Sequence, residues 1–523
     1  MRKLFKDATI VDGTGAGAYC SDLLVEGGTI RAIGRLGEIQ SERTFDCRGL
    51  VLAPGFIDLH AHSEIHVLRD PVMGAKIAQG ITTEFGGNCG IGVFPSNTSD
   101  SLAEEVLGAA SHHYWPTFAE YKEVWYRSGS GVNMGFFQAH GPLRSAVLGS
   151  DASRPAGEAE VAKMAALLAE SLECGAWGLS TGLYYEPCQS ADRGELIALA
   201  TVVARNARLL AVHLRCEGSA VLQSLDEVLD IARSSGVHLQ ISHLKAVGMA
   251  NQVLVDELLK RIEAANDEGL VVGFDQYPYL WGSTSLFSLL PPSLLALPRS
   301  SVKQHLQEQT VRTQTRALME QGEGWDSIAA LVGFDDITLL SLPSHPHYEG
   351  LSIAQVAALR EQDPYDALFD LLVECEGPAV MGDVTQCEES VVKIMTHRQM
   401  CFGSDALYSS PHPHPRSFNA ALHLIARYVN ERGDLTIEEA VERLSGRSAR
   451  RLGLDGRGII AEGFKADLVL FDQATLTSSD AIEAGGASPL ALVMVNGEVA
   501  LEAGTLVGTT SGRLLVPSTG RTD

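Results

Sequence analysis

Positive charge is scarce in this chain. Its 523 residues contain 40 Lys and Arg against 65 Asp and Glu, a formal net charge of −25 at pH 7. Phosphate backbones and anionic membrane surfaces recruit Lys and Arg, so nucleic acid and membranes are excluded as non-specific partners. Long apolar runs are missing as well, since no window reaches the length of a membrane span. Residues Met1–Gly13 carry Arg2, Lys3 and Lys6, but Asp7 and Asp12 break the run, and no signal-peptide apolar stretch follows. Cysteine is limited to nine scattered residues, an odd count. That fits free thiols in a reducing, cytoplasmic compartment better than a disulfide framework. Internal repeats and low-complexity tracts are also absent.

What remains is material for a large core, with 45% hydrophobic and 20% charged residues. The length exceeds one average domain but suits a barrel of about 250 residues carrying insertions and a second small unit. The two ends resemble each other in pattern. ATIVDGTG, DLLVEGGTIRAIG and RGLVLAPG near the start, and ADLVLFD and LALVMVNGEVALEAG near the end, are β-branched runs punctuated by Gly, Asp and Asn. Pairing of these ends into one small β-domain is expected.

The middle changes period. Apolar runs of four to six residues alternate with amphipathic stretches, as in AVHLR followed by VLQSLDEVLDIARSSG, and VHLQISHLK followed by QVLVDELLKRIEAANDEG. Gly236 and Gly269 stand where helix C-caps belong. His60, Cys89, Ser180, His213, His243 and Asp275 lie roughly thirty residues apart or at multiples of it, the length of one βα unit. The expected fold is therefore α/β, a (β/α)8 TIM barrel with a β-sandwich formed by both termini. The expected limits are 1–54 and 456–523 for the sandwich, 55–285 for barrel strands one to seven, and 399–455 for the last strand and its helices. Residues 286–398 are too long for one βα connection and read as an inserted lid.

Several residues in this frame carry chemistry. GFIDLHAHSE sets His60 and His62 two apart at a strand end, on one face, where both imidazoles can reach one metal. Two solvent-facing histidines would show the same spacing. TTEFGGNCGIG places Cys89 in a Gly-rich loop one unit later, as a thiolate ligand or as a small buried thiol. His213 in AVHLRCEG and His243 in LQISHLKAVG end β-branched runs, as ligands or as core histidines bonded to a carbonyl. Asp405 in CFGSDALY can bind a metal and move a proton, or simply cap a turn. Coincidence at barrel-strand spacing is a poor account of the whole set. His112, His113, His345, His347, His412 and His414 lie in Pro-rich or polar loops and read as lid residues.

GFIDLHAH, the late Ser-Asp and ADLVLFD resemble the amidohydrolase superfamily. TTEFGGNCGIG, QAHGPLR, GAWGLSTGLYYEP, HLRCEG, SHLKAVG, YPYLWGST and the HPR at His414–Arg416 resemble, more narrowly, its N-acyl-D-amino-acid deacylase (D-aminoacylase) group. The resemblance implies zinc held tightly by Cys89, His213 and His243, with His60, His62 and Asp405 completing a second, weakly occupied site. Many superfamily relatives bridge two metals with a carboxylated lysine on the fourth strand. GAWGLSTG offers no lysine, and Cys89 would take the bridging place. Asp405 would accept the proton of a metal-activated water and deliver it to the leaving amine.

The implied partner is a small N-acyl amino acid, or a dipeptide with a C-terminal D-residue. Lys245 is placed to pair with its free carboxylate, and the resemblance adds Tyr185, Tyr279, Ser283 and Arg416 around that group. Two positions depart from the family pattern. Trp281 replaces a small residue and could reshape the pocket, and Ala406 replaces a Gly after Ser-Asp. Leu286, Phe287, Leu289 and Leu290 hint at an apolar substrate or at lid core. A cyclic amidohydrolase of hydantoinase or dihydroorotase type would normally want the missing lysine. A non-catalytic scaffold on this fold would usually have lost ligands. Oligomeric state is not legible.

Overall fold

The computed structural model describes residues 1–518 apart from 38, 97–100, 111, 323, 411–412 and 479–486. Eight parallel strands form its centre: β1 (Phe56–Asp58), β2 (Ile81–Gly86), β3 (Asn133–Phe136, resumed at Gln138–Ala139), β4 (Gly178–Gly182), β5 (Leu209–His213), β6 (His238–Ile241), β7 (Val272–Gln276) and β8 (Met400–Phe402). The ladders run β1 to β2 to β3 and β3 to β8 in order. Closure comes where the Leu59 N–H donates to the Phe402 carbonyl at 3.1 Å and Ala61 bridges Ala406 in parallel. The result is a (β/α)8 barrel. Parallel strands buried on both faces are continuous apolar runs, and Leu210, Val212, Leu239, Ile241 and Phe274 are all buried.

Helices Arg193–Arg205, Val221–Ser235 and Val255–Asp267 follow β4, β5 and β6. Gly236 closes the second of these with φ +73°, its N–H donating to Ala232. The register aligns the carboxyl ends: Gly182 pairs with His213, Val212 with Ile241, and Gln276 with Phe402. Residues just past those ends therefore emerge together, which is where barrel chemistry sits.

Both chain ends build one nine-stranded sheet, joined where Val51–Pro54 pairs antiparallel with Leu468–Phe471. It forms the small sandwich around Phe5, Leu23, Leu52, Leu468 and Met494.

The connection after β7 is a unit with its own core. Strand Trp281–Ser285 pairs with Val380–Val384, which pairs with Ile337–Ser341. Helices Gln309–Gln321, Ile353–Arg360 and Pro364–Glu374 complete it. Leu286, Phe287, Leu289 and Leu290 belong to that core together with Leu339, Phe369 and Met381, so they are packing residues and not a substrate surface. The insert's sheet thus begins at Trp281, ahead of the expected 286. Its end also falls earlier, because Glu388–Thr396 packs against Val255–Asp267 as a barrel helix. None of the nine cysteines forms a disulfide, and no helix among the described residues is long and apolar enough to cross a membrane.

Candidate active site

Six donor side chains meet at the carboxyl ends of the barrel strands. His60, His62, Cys89 and Asp405 form one set whose donor atoms lie within 4.8 Å of one another, and Cys89, His213 and His243 form a second. Cys89 belongs to both. Its Sγ lies 3.3 Å from His60 Nε2 and 3.5 Å from His243 Nε2. Asp405 Oδ1 is 3.4 Å from His60 Nε2 and 3.2 Å from His62 Nε2. His213 Nδ1 faces His243 Nε2 at 2.9 Å.

Backbone strain marks this cluster. Cys89 (φ +54°), His243 (φ +33°) and Asp405 (φ +53°) all occupy the left-handed region, unusual for residues with a Cβ. Such conformations persist only where neighbours over-determine them. On β4, Ser180 donates through Oγ to the Gly87 carbonyl and accepts from the Gly90 N–H at 3.1 Å, clamping both ends of the Cys89 turn. A Cβ on Gly182 would strike the Cys89 carbonyl, so only glycine fits there. Asp275 on β7 accepts from the His243 N–H at 2.9 Å and holds His60 Nδ1 at 2.9 Å, aiming His60 Nε2 at the cluster. At the base of the Asp405 turn, Asp58 accepts from the Ser404 N–H at 2.8 Å. Asp58 and Glu84 are in turn paired to the fully buried Lys76. Asp275, Asp58 and Lys76 therefore orient the donors from residues far away in sequence.

Burial drives the electrostatics. It holds His213 and His243 well below the ordinary histidine range, leaving neutral rings with a free lone pair. The Cys89 thiol is pushed up by the same burial, with His60 opposing. Burial also opposes ionisation of Asp405, but the Arg416 guanidinium and His60 outweigh it and hold the carboxyl well below the usual range. The donors fit a divalent ion of the zinc type: a thiol, four imidazoles and a carboxylate, all buried, with His62 Nδ1 lacking a hydrogen bond among the described residues.

Beside the cluster lies a pocket with two lobes that share Tyr185, His243, Ser283, Thr284 and Asp405. One lobe is charged, with Glu217, Lys245, Tyr277, Asp383 and Arg416 on its walls. The other is closed by Ile91, Val106 and Leu407. Lys245 Nζ lies 2.7 Å from Glu217 Oε2, and Glu217 Oε1 stands 3.1 Å from His243 Nδ1, placed to accept its N–H and leave Nε2 with the free lone pair. Arg416 Nη1 pairs with Asp405 Oδ2 at 2.9 Å, and its Nη2 donates to the Ser283 carbonyl at 3.1 Å. The Tyr185 hydroxyl is 3.1 Å from Thr284 Oγ1.

Of the five residues expected around a substrate carboxylate, Lys245, Tyr185, Ser283 and Arg416 line the pocket. Tyr279 does not. Its ring stacks on His423 at 4.6 Å, and Tyr277 takes the wall position. Tyr279 is implied by the resemblance alone; β7 ends at Gln276, and the chain beyond it turns Tyr277 into the pocket. His414 also departs from its expected place in a lid. It is buried, with Nε2 donating to the Trp281 carbonyl at 3.0 Å and Nδ1 accepting from the Arg416 N–H at 2.9 Å, so it fixes Arg416. The Trp281 indole lies on His414 at 3.6 Å and is not a pocket wall. Ala406 is tied to Ala61 by the bridge that closes the barrel. His112, His113, His345 and His347 stay outside the pocket, and His412 lies outside the described residues.

Sequence reading missed Glu217, Tyr277 and Asp383. The Glu in HLRCEG, four residues past His213, was the one available signal.

Comparison with known proteins gives a concordant picture. The model of the amidohydrolase family matches residues 43–278 and 352–500. D-aminoacylase of Alcaligenes xylosoxydans xylosoxydans is 32% identical over 98% of this chain and 97% of its own. The N-acyl-D-glutamate deacylase of Bordetella bronchiseptica, solved with zinc and a phosphonate mimic of the tetrahedral intermediate, superposes with a TM-score of 0.85. It is 30% identical and covers 98% of this chain and 99% of its own. A D-aminoacylase structure addressing a binuclear metal centre, with one-metal activation and second-metal attenuation, gives 0.84 at 29% identity over 98% and 99%.

Proposed function

We propose that this chain, which belongs to the amidohydrolase family and to its D-aminoacylase group, hydrolyses the amide bond of N-acyl-D-amino acids with zinc. The products are a free D-amino acid and a carboxylate. The carrying observation is the meeting of two donor sets at Cys89 beside a pocket whose walls bear Lys245 and Arg416. Cys89, His213 and His243 are assigned to the tightly held ion, and His60, His62 and Asp405 to the weaker site.

Bound zinc supplies a water of lowered pKa and polarises the scissile carbonyl. Asp405 is held ionised, with Oδ2 fixed by Arg416 and Oδ1 facing His60 and His62, so Oδ1 is the atom that would take the water proton. The same carboxyl then delivers that proton to the leaving nitrogen. Lys245, Arg416, Tyr277 and Ser283 hold the α-carboxylate, and Tyr185 packs over His213 at 4.9 Å, keeping bulk water from the reacting atoms. The apolar lobe at Ile91, Val106 and Leu407 receives the acyl group. Nine unpaired cysteines support a reducing compartment, and on that ground we assign the reaction to the cytoplasm.

A cyclic amidohydrolase reading is disfavoured at β4, where Ser180 is committed to the Cys89 turn and no lysine is present. The test is hydrolysis of paired N-acetyl-D- and N-acetyl-L-amino acids by zinc-loaded protein. Turnover of the D-series alone is the expected result. Turnover of dihydrouracil or a hydantoin with neither series cleaved would overturn it.

A further inference from the structure

The two lobes of the pocket divide the substrate. Lys245 and Arg416 stand in the charged lobe, so the amino-acid half lies there, and the acyl half lies against Ile91, Val106 and Leu407. The Cα that carries the carboxylate also carries the side chain, so the remaining walls of the charged lobe face that side chain. These walls combine the apolar Val247 and Ile328 with acidic groups.

The acidic groups are not equivalent. Glu217 is committed to Lys245, at 2.7 Å. Asp326 accepts the backbone N–H groups of Glu217 and Gly218, the latter at 2.8 Å. Asp405 is paired with Arg416. Asp383 is different. It lies on the insert strand Val380–Val384, opposite Gly282, and only 5% of its surface is exposed. Among the described residues it has no ion-pair partner, because both nearby cations are taken by Glu217 and Asp405. Its Oδ1 and the Tyr277 hydroxyl flank Gly282 within 3.4 Å and 3.2 Å of where a Cβ would stand, so the carboxylate lies beside that wall tyrosine. A buried carboxylate without a cation is costly unless an incoming group supplies one.

We propose that Asp383 is a specificity-determining residue and that the preferred substrates are N-acyl-D-amino acids with a cationic side chain. A lysine- or arginine-like methylene stem would run along Val247 and Ile328 and bring its charged head to Asp383. This inference rests on the deacylase reading above. It sets the chain apart from the structurally similar N-acyl-D-glutamate deacylase, whose substrate side chain carries the opposite charge.

The test compares Nα-acetyl-D-lysine, N-acetyl-D-norleucine, which keeps the four-carbon stem and lacks the ammonium, and N-acetyl-D-glutamate on the zinc-loaded full chain. The wild-type protein, Asp383→Asn and Asp383→Ala are each assayed, with zinc content and unfolding temperature as folding controls. The expected wild-type order of kcat/KM is lysine, norleucine, glutamate. Asp383→Asn, which keeps shape and removes charge, should lower the lysine-to-norleucine ratio roughly 10- to 100-fold, the worth of one charge-assisted hydrogen bond. It should also raise glutamate relative to norleucine. A wild-type preference for norleucine or glutamate, or an equal loss on all three in Asp383→Asn, would overturn the side-chain assignment while leaving the deacylase reading intact. Failure of the wild-type protein on every N-acyl-D-amino acid would instead remove the reading beneath it.

Discussion

The barrel rim and the insert wall face each other across one pocket, but they are built differently. On the rim the groups that position the donors are committed: Ser180 to the Cys89 turn, Asp275 to His60 and His243, Asp58 to Ser404 and Lys76, and Lys245 to Glu217. Donors held this way keep their geometry through turnover, which suits groups that must meet a metal ion and a proton in fixed positions. The insert wall belongs to a unit with its own core and reaches the pocket through two short strands. There Asp383 is buried without an ion-pair partner among the described residues. Chemistry and selectivity thus reside in separately packed parts of the molecule, and changes in one should leave the other measurable.

The sharpest break on the rim side is Asp405→Asn. It keeps the shape of the side chain and removes the group proposed to move the proton, so kcat should fall by about 10²- to 10⁴-fold for every side chain alike. Zinc content should survive at Cys89, His213 and His243. An isotope-dilution metal assay beside steady-state kinetics separates the two effects. Retained turnover would show that the proton moves elsewhere. The next effect is smaller and tests the supporting layer. Ser180→Ala removes both clamps on the Cys89 turn without touching a donor, and zinc affinity should weaken by about 10- to 100-fold. Chelator competition would report this, with the ratios among side chains held constant. A changed ratio would mean that rim and insert are coupled.

Much of the rim was legible because its logic is local. An apolar run followed by His, Cys or Asp at βα spacing names a strand end, and six such residues converge as their spacing requires. Contacts between distant elements left no such trace. His60 meets Asp275 across 215 positions, and Ser404 meets Asp58 across 346. Tyr279 came with the family resemblance, and nothing local to it showed that the chain past Gln276 would turn Tyr277 into the pocket instead. The insert was least legible. Its apolar residues could be read as a substrate surface or as lid core and prove to be the latter, while Asp383 sits in VMGDVTQ without a motif around it. A residue that waits for a ligand to supply its partner forms no pattern within its own chain.

The smallest expected effect lies on the insert side and uses pH. Burial pushes the Asp383 carboxyl up to about 6, with Lys245 and Arg416 opposing and Glu217 reinforcing. Below that value the group is neutral and offers a cation little; above it the charge is present. The ionised fraction therefore grows about tenfold between pH 5 and pH 7. The kcat/KM of Nα-acetyl-D-lysine relative to N-acetyl-D-norleucine should rise across this window by up to that factor, since kcat/KM follows ionisations of the free enzyme. Loss of metal or protonation of a donor at low pH scales both substrates equally and cancels in the ratio. The lysine ammonium and both α-carboxylates do not titrate in this range. A ratio that stays flat from pH 5 to pH 7 would mean that Asp383 does not sense the side chain, and the insert wall would then be only a cover over the rim.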